Sequence, residues 1–221
     1  VPLSATNQLV LHYHVVMTKR TETTRALLLN AARTEFAAYG IAGARVDRIA
    51  ELAGVNKQRL YANFGDKEHL FQHVVSDALD ELSQVVALDG DTDPAAYVAR
   101  VFDYHRAKPE LLRLLLWEAL HYGEQPLPNE EKRKAPYEAK LSSLAQQLGT
   151  PLTLDTRHLL LSLIGLAAWP QITPQLARLI VGPDAHEDES QERLRDHIVE
   201  FVRSATHTAP SAPEAGTDGA A

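Results

Sequence analysis

Residues 26–70 read ALLLNAARTEFAAYGIAGARVDRIAELAGVNKQRLYANFGDKEHL. Two short helical patterns meet at Ala53-Gly54-Val55, behind a longer amphipathic one. In the longer pattern Leu27, Leu28, Ala31, Ala32, Glu35-Phe36 and Tyr39 recur at three- and four-residue steps. That period predicts a helix over about 23–39 with one buried stripe, ended at Gly40, where glycine tolerates a left-handed turn. A second helix is expected over about 46–53, with Val46, Ile49, Ala50 and Ala53 inward. Gly54 makes the turn, Val55 plugs the angle, and Asn56 suits the N-cap of a third helix that turns Leu60 and Phe64 to the core. Two short helices set at a steep angle by a tight turn form a helix-turn-helix, whose second helix reads base edges in the major groove.

The outer side of that third helix carries Lys57, Gln58, Arg59, Ala62 and Asn63. Arginine grips guanine in a bidentate fork, and glutamine does the same with adenine. The Tyr61 hydroxyl is placed to reach a phosphate. An ordinary solvated polar face would show the same residue types, so this helix alone leaves both readings open. Gly65 and Asp66 open a fourth helix, with Asp66 as N-cap and Lys67 in its first turn. A cation there opposes the helix dipole, which suggests a nearby anion such as DNA phosphate.

The segment resembles the DNA-binding domain of the TetR family of transcriptional regulators. The resemblance rests on Ala31-Ala32, Phe36, Gly40, Ile49-Ala50, Ala53-Gly54-Val55, Leu60-Tyr61, Phe64, Lys67-Glu68 and Leu70, in the family's order and spacing. It implies a two-fold symmetric homodimer, a double-stranded DNA operator of two half-sites, and a C-terminal helical domain that binds a small-molecule effector. It also implies that Lys57, Gln58, Arg59, Ala62 and Asn63 face the groove and that Tyr61 and Lys67 hold phosphates. Two departures stand out. Ala44 and Arg45 occupy positions where the family usually has Thr or Ser, so a capping hydroxyl worth roughly 1 kcal/mol is missing. Arg45 could restore the phosphate contact as a charge-assisted one. Gln58 and Arg59 replace a small residue and Thr, which points to a bulkier, more arginine-dependent contact.

The net charge of −7 at first argues against DNA. It is unevenly spread: residues 18–70 hold nine Lys and Arg against six Asp and Glu, and residues 71–221 hold 13 against 23. A locally basic reader on an acidic body fits a DNA-binding protein, and its modest basicity implies that two subunits act together. There is no cysteine, hence no disulfide, thiolate metal site or thiol nucleophile. No apolar run approaches the ~18 residues that span a bilayer, and a cytoplasmic location is expected. Residues 1–17 read as a poorly ordered extension, from which Lys19, Arg20 and Arg25 follow as a possible basic arm. Domain boundaries are expected at 18–65 for the reader and 66–206 for the body, with 207–221, rich in Ala, Pro, Gly and Ser, as a disordered tail.

Beyond the reader, helical patterns cover about 66–87, 94–107, 109–122, 130–148, 154–169, 174–181 and 189–206. Nothing alternates with period two over a useful length, so the fold class is all-α: a helix-turn-helix domain followed by a larger helical effector-binding and dimerisation domain. The segment 159–168 is apolar almost all round and the last helix carries its own stripe, so Leu160, Ile164, Ala168, Leu194, Ile198 and Phe201 are candidate dimer contacts. A purely intramolecular core is the alternative. For the effector, Phe102, His105, Trp117, His121 and Tyr122 set aromatic and polar tips among leucines, as a small-molecule pocket requires, although core packing would use them equally.

Glu118 and His121 also form one E-x-x-H pair, which di-iron bundles use twice with two further Glu. A single copy makes a metal-dependent enzyme a remote alternative, and no phosphate-cradling glycine loop or nucleophile elbow is present. No cofactor, metal ligand set or catalytic residue is expected. The reading is therefore a homodimeric, ligand-responsive repressor, with activation or effector-independent regulation as the alternative.

Overall fold

The computed structural model describes the backbone of residues 5–207 and the side chains of residues 22–206. Ten helices and no strand occur among the described residues: α1 (Ala5–Gly43), α2 (Val46–Leu52), α3 (Lys57–Phe64), α4 (Lys67–Val85), α5 (Pro94–Ala107), α6 (Glu110–Tyr122), α7 (Glu130–Leu148), α8 (Leu154–Ile172), α9 (Pro174–Val181) and α10 (Asp188–His207). The fold is all-α, as the missing two-residue alternation requires. α1 includes the backbone of residues 5–17, read from sequence as an extension. Residues 1–4 and 208–221, with the rest of that extension and nearly all of the expected tail, lie outside the described residues.

Two compact units form. One holds the chain through Leu82 together with Lys108–Pro128, and the other holds Ser83–Ala107 together with the chain from Asn129. This division differs from a boundary at residue 65, for a physical reason. α4 buries Leu70, Phe71, Val74 and Val75, and its Phe71 ring meets Phe36 of α1 edge-on at 5.1 Å. Arg33 of α1 reaches Asp77 at 3.1 Å and Glu81 at 2.7 Å, so α4 is tied to α1 along its length.

α6 joins the same unit through the end of α1. A helix leaves its last carbonyls without internal partners. Here the Ala37 carbonyl accepts from Arg113 Nε at 2.8 Å and from Trp117 Nε1 at 3.3 Å. Gly40, at φ 66° and ψ −177°, breaks α1 in a backbone region that is essentially glycine-only. A Cβ at Gly40 would stand 2.6 Å from the Trp117 ring, so the missing side chain also makes room for the indole. Of the stripe read from sequence, Leu28, Ala32, Glu35 and Phe36 are buried, whereas Leu27 and Tyr39 at its edges are about half exposed.

In the second unit α5 is central. It buries Ala95, Tyr97, Val98, Val101, Phe102 and Tyr104, too many for one stripe, because α8 and α10 both pack on it. Ion pairs from Arg106 to Asp188 and from Arg195 to Asp103, the latter 2.8 Å, tie α5 to α10. α8 continues through Pro170 to Ile172, three residues past its expected end at Trp169. Proline near a helix end removes only one backbone hydrogen bond. The axis then bends by 84° into α9. No single helix among the described residues is long and apolar enough to cross a membrane; by length and composition alone only the bent α8–α9 pair passes that test.

Candidate nucleic-acid interface

The N-terminus of α2 is anchored from an unexpected place. Its N-cap, Arg45, is extended and offers no side-chain cap, as expected from the missing hydroxyl. Glu35, 3 % exposed, supplies the anchor from α1. Its Oε1 accepts the Arg45 backbone N–H at 2.8 Å and the Arg48 guanidinium at 2.9 Å from Nε and 2.6 Å from Nη2. The Arg48 guanidinium also lies 4.4 Å from the centre of the Tyr39 ring, which accounts for that exposed tyrosine. Apolar periodicity had counted Glu35 only as a stripe position. The legible signal was an acid inside an apolar face, ten and thirteen residues before two arginines.

The turn forms as its residues require. Gly54 sits at φ 65°, and the Val55 N–H donates to the Ala50 carbonyl at 3.0 Å. Asn56 caps α3 by accepting the Arg59 N–H on its side-chain oxygen at 2.9 Å. Leu60 and Phe64 are buried, and Arg25 of α1 packs its guanidinium 4.6 Å from the Phe64 ring centre. Arg25 is therefore part of the packing of this unit rather than a free arm residue.

This packing leaves Lys57, Gln58, Arg59, Tyr61 and Ala62 exposed on one short helix. Gln58 and Arg59 have no side-chain hydrogen bond or ion pair among the described residues. Lys57 is engaged: its ammonium pairs with Asp47 of α2 at 2.9 Å. The bond and charge of Lys57 hold the Asp47 carboxyl below its ordinary range, and the same contact raises Lys57, so both are charged at neutral pH. Asn63 turns its amide back onto the Arg59 carbonyl at 2.7 Å. Arg45 is exposed at the start of α2, beside this helix pair.

Lys67 has found its anion equivalent within the protein. Its Nζ lies 3.3 Å from the Ala44 carbonyl and 3.5 Å from that of Ala42, at the negative end of α1. Asp66 caps α4 as expected, accepting the His69 N–H at 2.8 Å.

The other candidate residues fall in separate places. Trp117, His121 and Tyr122 are on α6 in the first unit, while Phe102 and His105 are buried in the second. Trp117 packs over Gly40, and Tyr122 donates to Glu68 at 3.0 Å and accepts from Gln72 at 3.3 Å. His121 faces Glu68 at 3.8 Å, whereas Glu118 is buried, and no group of three metal-ligating side chains occurs among the described residues. Burial pushes His105 down to about 4, and its Nδ1 is buried with no hydrogen-bond partner.

On α8 and α10, Leu160, Ala168 and Ile198 are buried within the chain itself, with Ile164 and Leu194 intermediate. The strongly exposed apolar residues of these two helices are Leu154 at 64 %, Leu161 at 70 %, Trp169 at 56 % and Phe201 at 55 %. One residue along a helix turns the side chain by about 100°, so sequence alone could not tell which of two adjacent stripes faces outward.

Comparison with known proteins gives the same outline. Residues 28–74 match the model for bacterial regulatory proteins of the tetR family, and residues 93–204 match a tetracyclin repressor-like C-terminal domain. The chain is 40% identical over 185 residues to the HTH-type transcriptional repressor SCO4008 of Streptomyces coelicolor, covering 82% of this chain and 94% of that protein. It is 34% identical over 114 residues to the HTH-type transcriptional repressor NicS of Pseudomonas putida, covering 49% of this chain and 54% of the relative. The solved structure of SCO4942 from Streptomyces coelicolor superposes with a TM-score of 0.64 at 31% identity, over 82% of this chain and 97% of that one. With both domains matched in order and a relative aligned nearly end to end, the chain belongs to the TetR family of DNA-binding transcriptional regulators.

Proposed function

We propose that the protein is a homodimeric, cytoplasmic repressor that leaves its operator when a small molecule binds its second unit. The observation that carries the DNA-reading part is the free state of Gln58 and Arg59, exposed side by side on a short, well-capped helix. Their donors and acceptors are not engaged within the protein, so a base edge competes only with water for them. Arg45, Tyr61 and Lys67 would hold the flanking phosphates, with Lys57 moving from Asp47 to the DNA.

The excess positive charge of residues 18–70 is small, so one copy would bind DNA weakly and two would share the work. Leu161, Trp169 and Phe201 are apolar residues left exposed on α8 and α10, which a second copy would cover. Repression is favoured by the character of SCO4008 and NicS, both named as repressors. The effector part is supported by His105, whose buried Nδ1 has an unmet hydrogen bond. An effector that prefers the non-binding arrangement by a few kcal/mol suffices to empty the operator.

Selection of bound fragments from random duplex DNA, with sedimentation of the complex, tests this reading. It expects two inverted half-sites about 34–36 Å apart and two subunits per site. A single half-site bound by one subunit contradicts it.

A further inference from the structure

The side chains of α3 divide by their angle around its axis. Leu60 and Phe64, both buried, fix the side that faces the protein. Successive helical residues turn by about 100°, so Ala62, two residues from each, stands on the opposite side. It is exposed, and it is the smallest side chain of the helix. Gln58 lies about 40° to one side of it and Arg59 about 60° to the other. Both are exposed, with no side-chain hydrogen bond or ion pair among the described residues. Lys57 and Asn63 lie about 140° and about 100° from Ala62, and both are engaged within the protein. The Lys57 ammonium meets Asp47 at 2.9 Å, and the Asn63 amide nitrogen donates to the Arg59 carbonyl at 2.7 Å.

We propose that Gln58, Arg59 and Ala62 alone read bases, and that each half-site offers them an adenine, a guanine and a thymine within about three consecutive base pairs. Lys57 and Asn63 take no part in the readout. This deepens the DNA-reading proposal and rests on it.

A small residue at the outward pole lets the helix sit deep in a groove about 12 Å wide, so the longer side chains beside it reach base edges. The Arg59 guanidinium matches the two acceptors of guanine, and the Gln58 amide matches the donor and acceptor of adenine. The Ala62 methyl group needs an apolar partner, because a base N–H or C=O held against it would lose water and gain no hydrogen bond. On the major-groove edge that partner is the thymine methyl group. Gln58 and Ala62 are four residues apart, about 6 Å along the axis or about two base-pair steps. Asn63 cannot repeat the chemistry of Gln58. A bidentate grip on adenine uses both the amide oxygen and the amide nitrogen, and its nitrogen is taken.

The test is titration of the full chain by fluorescence anisotropy against an operator selected from random duplexes, with single modified bases placed through one half-site. Uracil in place of thymine removes only the methyl group. Deazaguanine and deazaadenine replace the groove-facing ring nitrogen by carbon. The expected result is one thymine whose replacement weakens binding several-fold, and one guanine and one adenine whose deaza forms weaken it by about fivefold or more. Each sensitivity should vanish in one variant: that to guanine in Arg59→Ala, that to adenine in Gln58→Ala, and that to thymine in Ala62→Gly. Circular dichroism checks the fold of each variant, and Ala62→Ser replaces Ala62→Gly if the latter does not fold. Asn63→Ala should retain all three sensitivities, and Lys57→Met should weaken operator and random duplex alike. The proposal is overturned if Asn63→Ala or Lys57→Met removes a sensitivity, if no thymine responds to loss of its methyl group, or if the sensitive bases are scattered through the half-site. A protein that prefers no duplex refutes the DNA-reading proposal itself, whereas one that prefers its operator and fails these tests refutes the base assignment alone.

Discussion

The Glu35 carboxylate, buried on α1, receives the Arg48 guanidinium at 2.6 Å and the Arg45 N–H at 2.8 Å, and so fixes α2 to the scaffold. A hydrogen-bonding hydroxyl at the start of α2 is absent, and this long-range contact takes over the positioning. Glu35→Ala should lower stability by about 2–4 kcal/mol, because a buried acceptor with three donors is lost. Chemical denaturation measures it. Arg48→Ala, which leaves the buried Glu35 carboxylate without its counter-charge, should cost at least as much, and a negligible loss there would show that Glu35 acts by packing alone.

Asp47 holds Lys57 at 2.9 Å, and on the proposed reading it sets a negative charge toward the DNA. Asp47→Asn should therefore tighten binding to specific and random duplexes alike. The slope of log affinity against log salt should steepen by roughly one, as one more cation becomes free for phosphate. A change confined to the specific site would show instead that Asp47 takes part in reading sequence.

Gly40 and Trp117 are coupled twice, through the backbone of Gly40 and through the space it leaves. Gly40→Ala should destabilise by about 2–5 kcal/mol, combining a glycine-only conformation with overpacking against the indole. The double variant with Trp117→Leu should recover the packing share but not the backbone share. Full recovery would mean that backbone strain contributes nothing.

His105 gives the second unit a pH dependence of defined sign. Its folded pKa is held near 4 by burial, against 6.5 when unfolded. The neutral form is favoured in the fold, so stability is unaffected above about pH 6.5 and falls as pH drops from there to about 4. The loss should be on the order of a few kcal/mol. Carboxylates titrate at the lower end of this window, so the readout is the difference between the wild type and His105→Phe. Parallel stability curves for the two between pH 6.5 and pH 4.5 would remove His105 from the explanation.

Much of the DNA-reading unit was legible in the sequence because each of its signals is local. Gly54, Asn56, Leu60 and Phe64 state their roles within one or two turns, and the structure gives them those roles. Glu35 was not legible, since its partners lie ten and thirteen residues away and apolar periodicity assigns a buried position no charge. The association of α6 with α1 was hidden for the same reason: the link from Trp117 to Ala37 spans 80 residues. The outward stripe of α8 was hidden differently. That helix is apolar on nearly every side, so Leu160 and Leu161 are equivalent until the packing of α5 selects one.

The central claim is that the outer face of α3 reads bases, and titration of Arg59→Ala against a selected operator and a random duplex at two salt concentrations tests it most directly. The account expects operator affinity to fall by ~1–3 kcal/mol with preference relaxed at one base position, while random-duplex affinity changes far less. Lys67→Ala, measured beside it, should weaken both duplexes to a similar degree. Equal losses on the two duplexes for Arg59→Ala would contradict the claim.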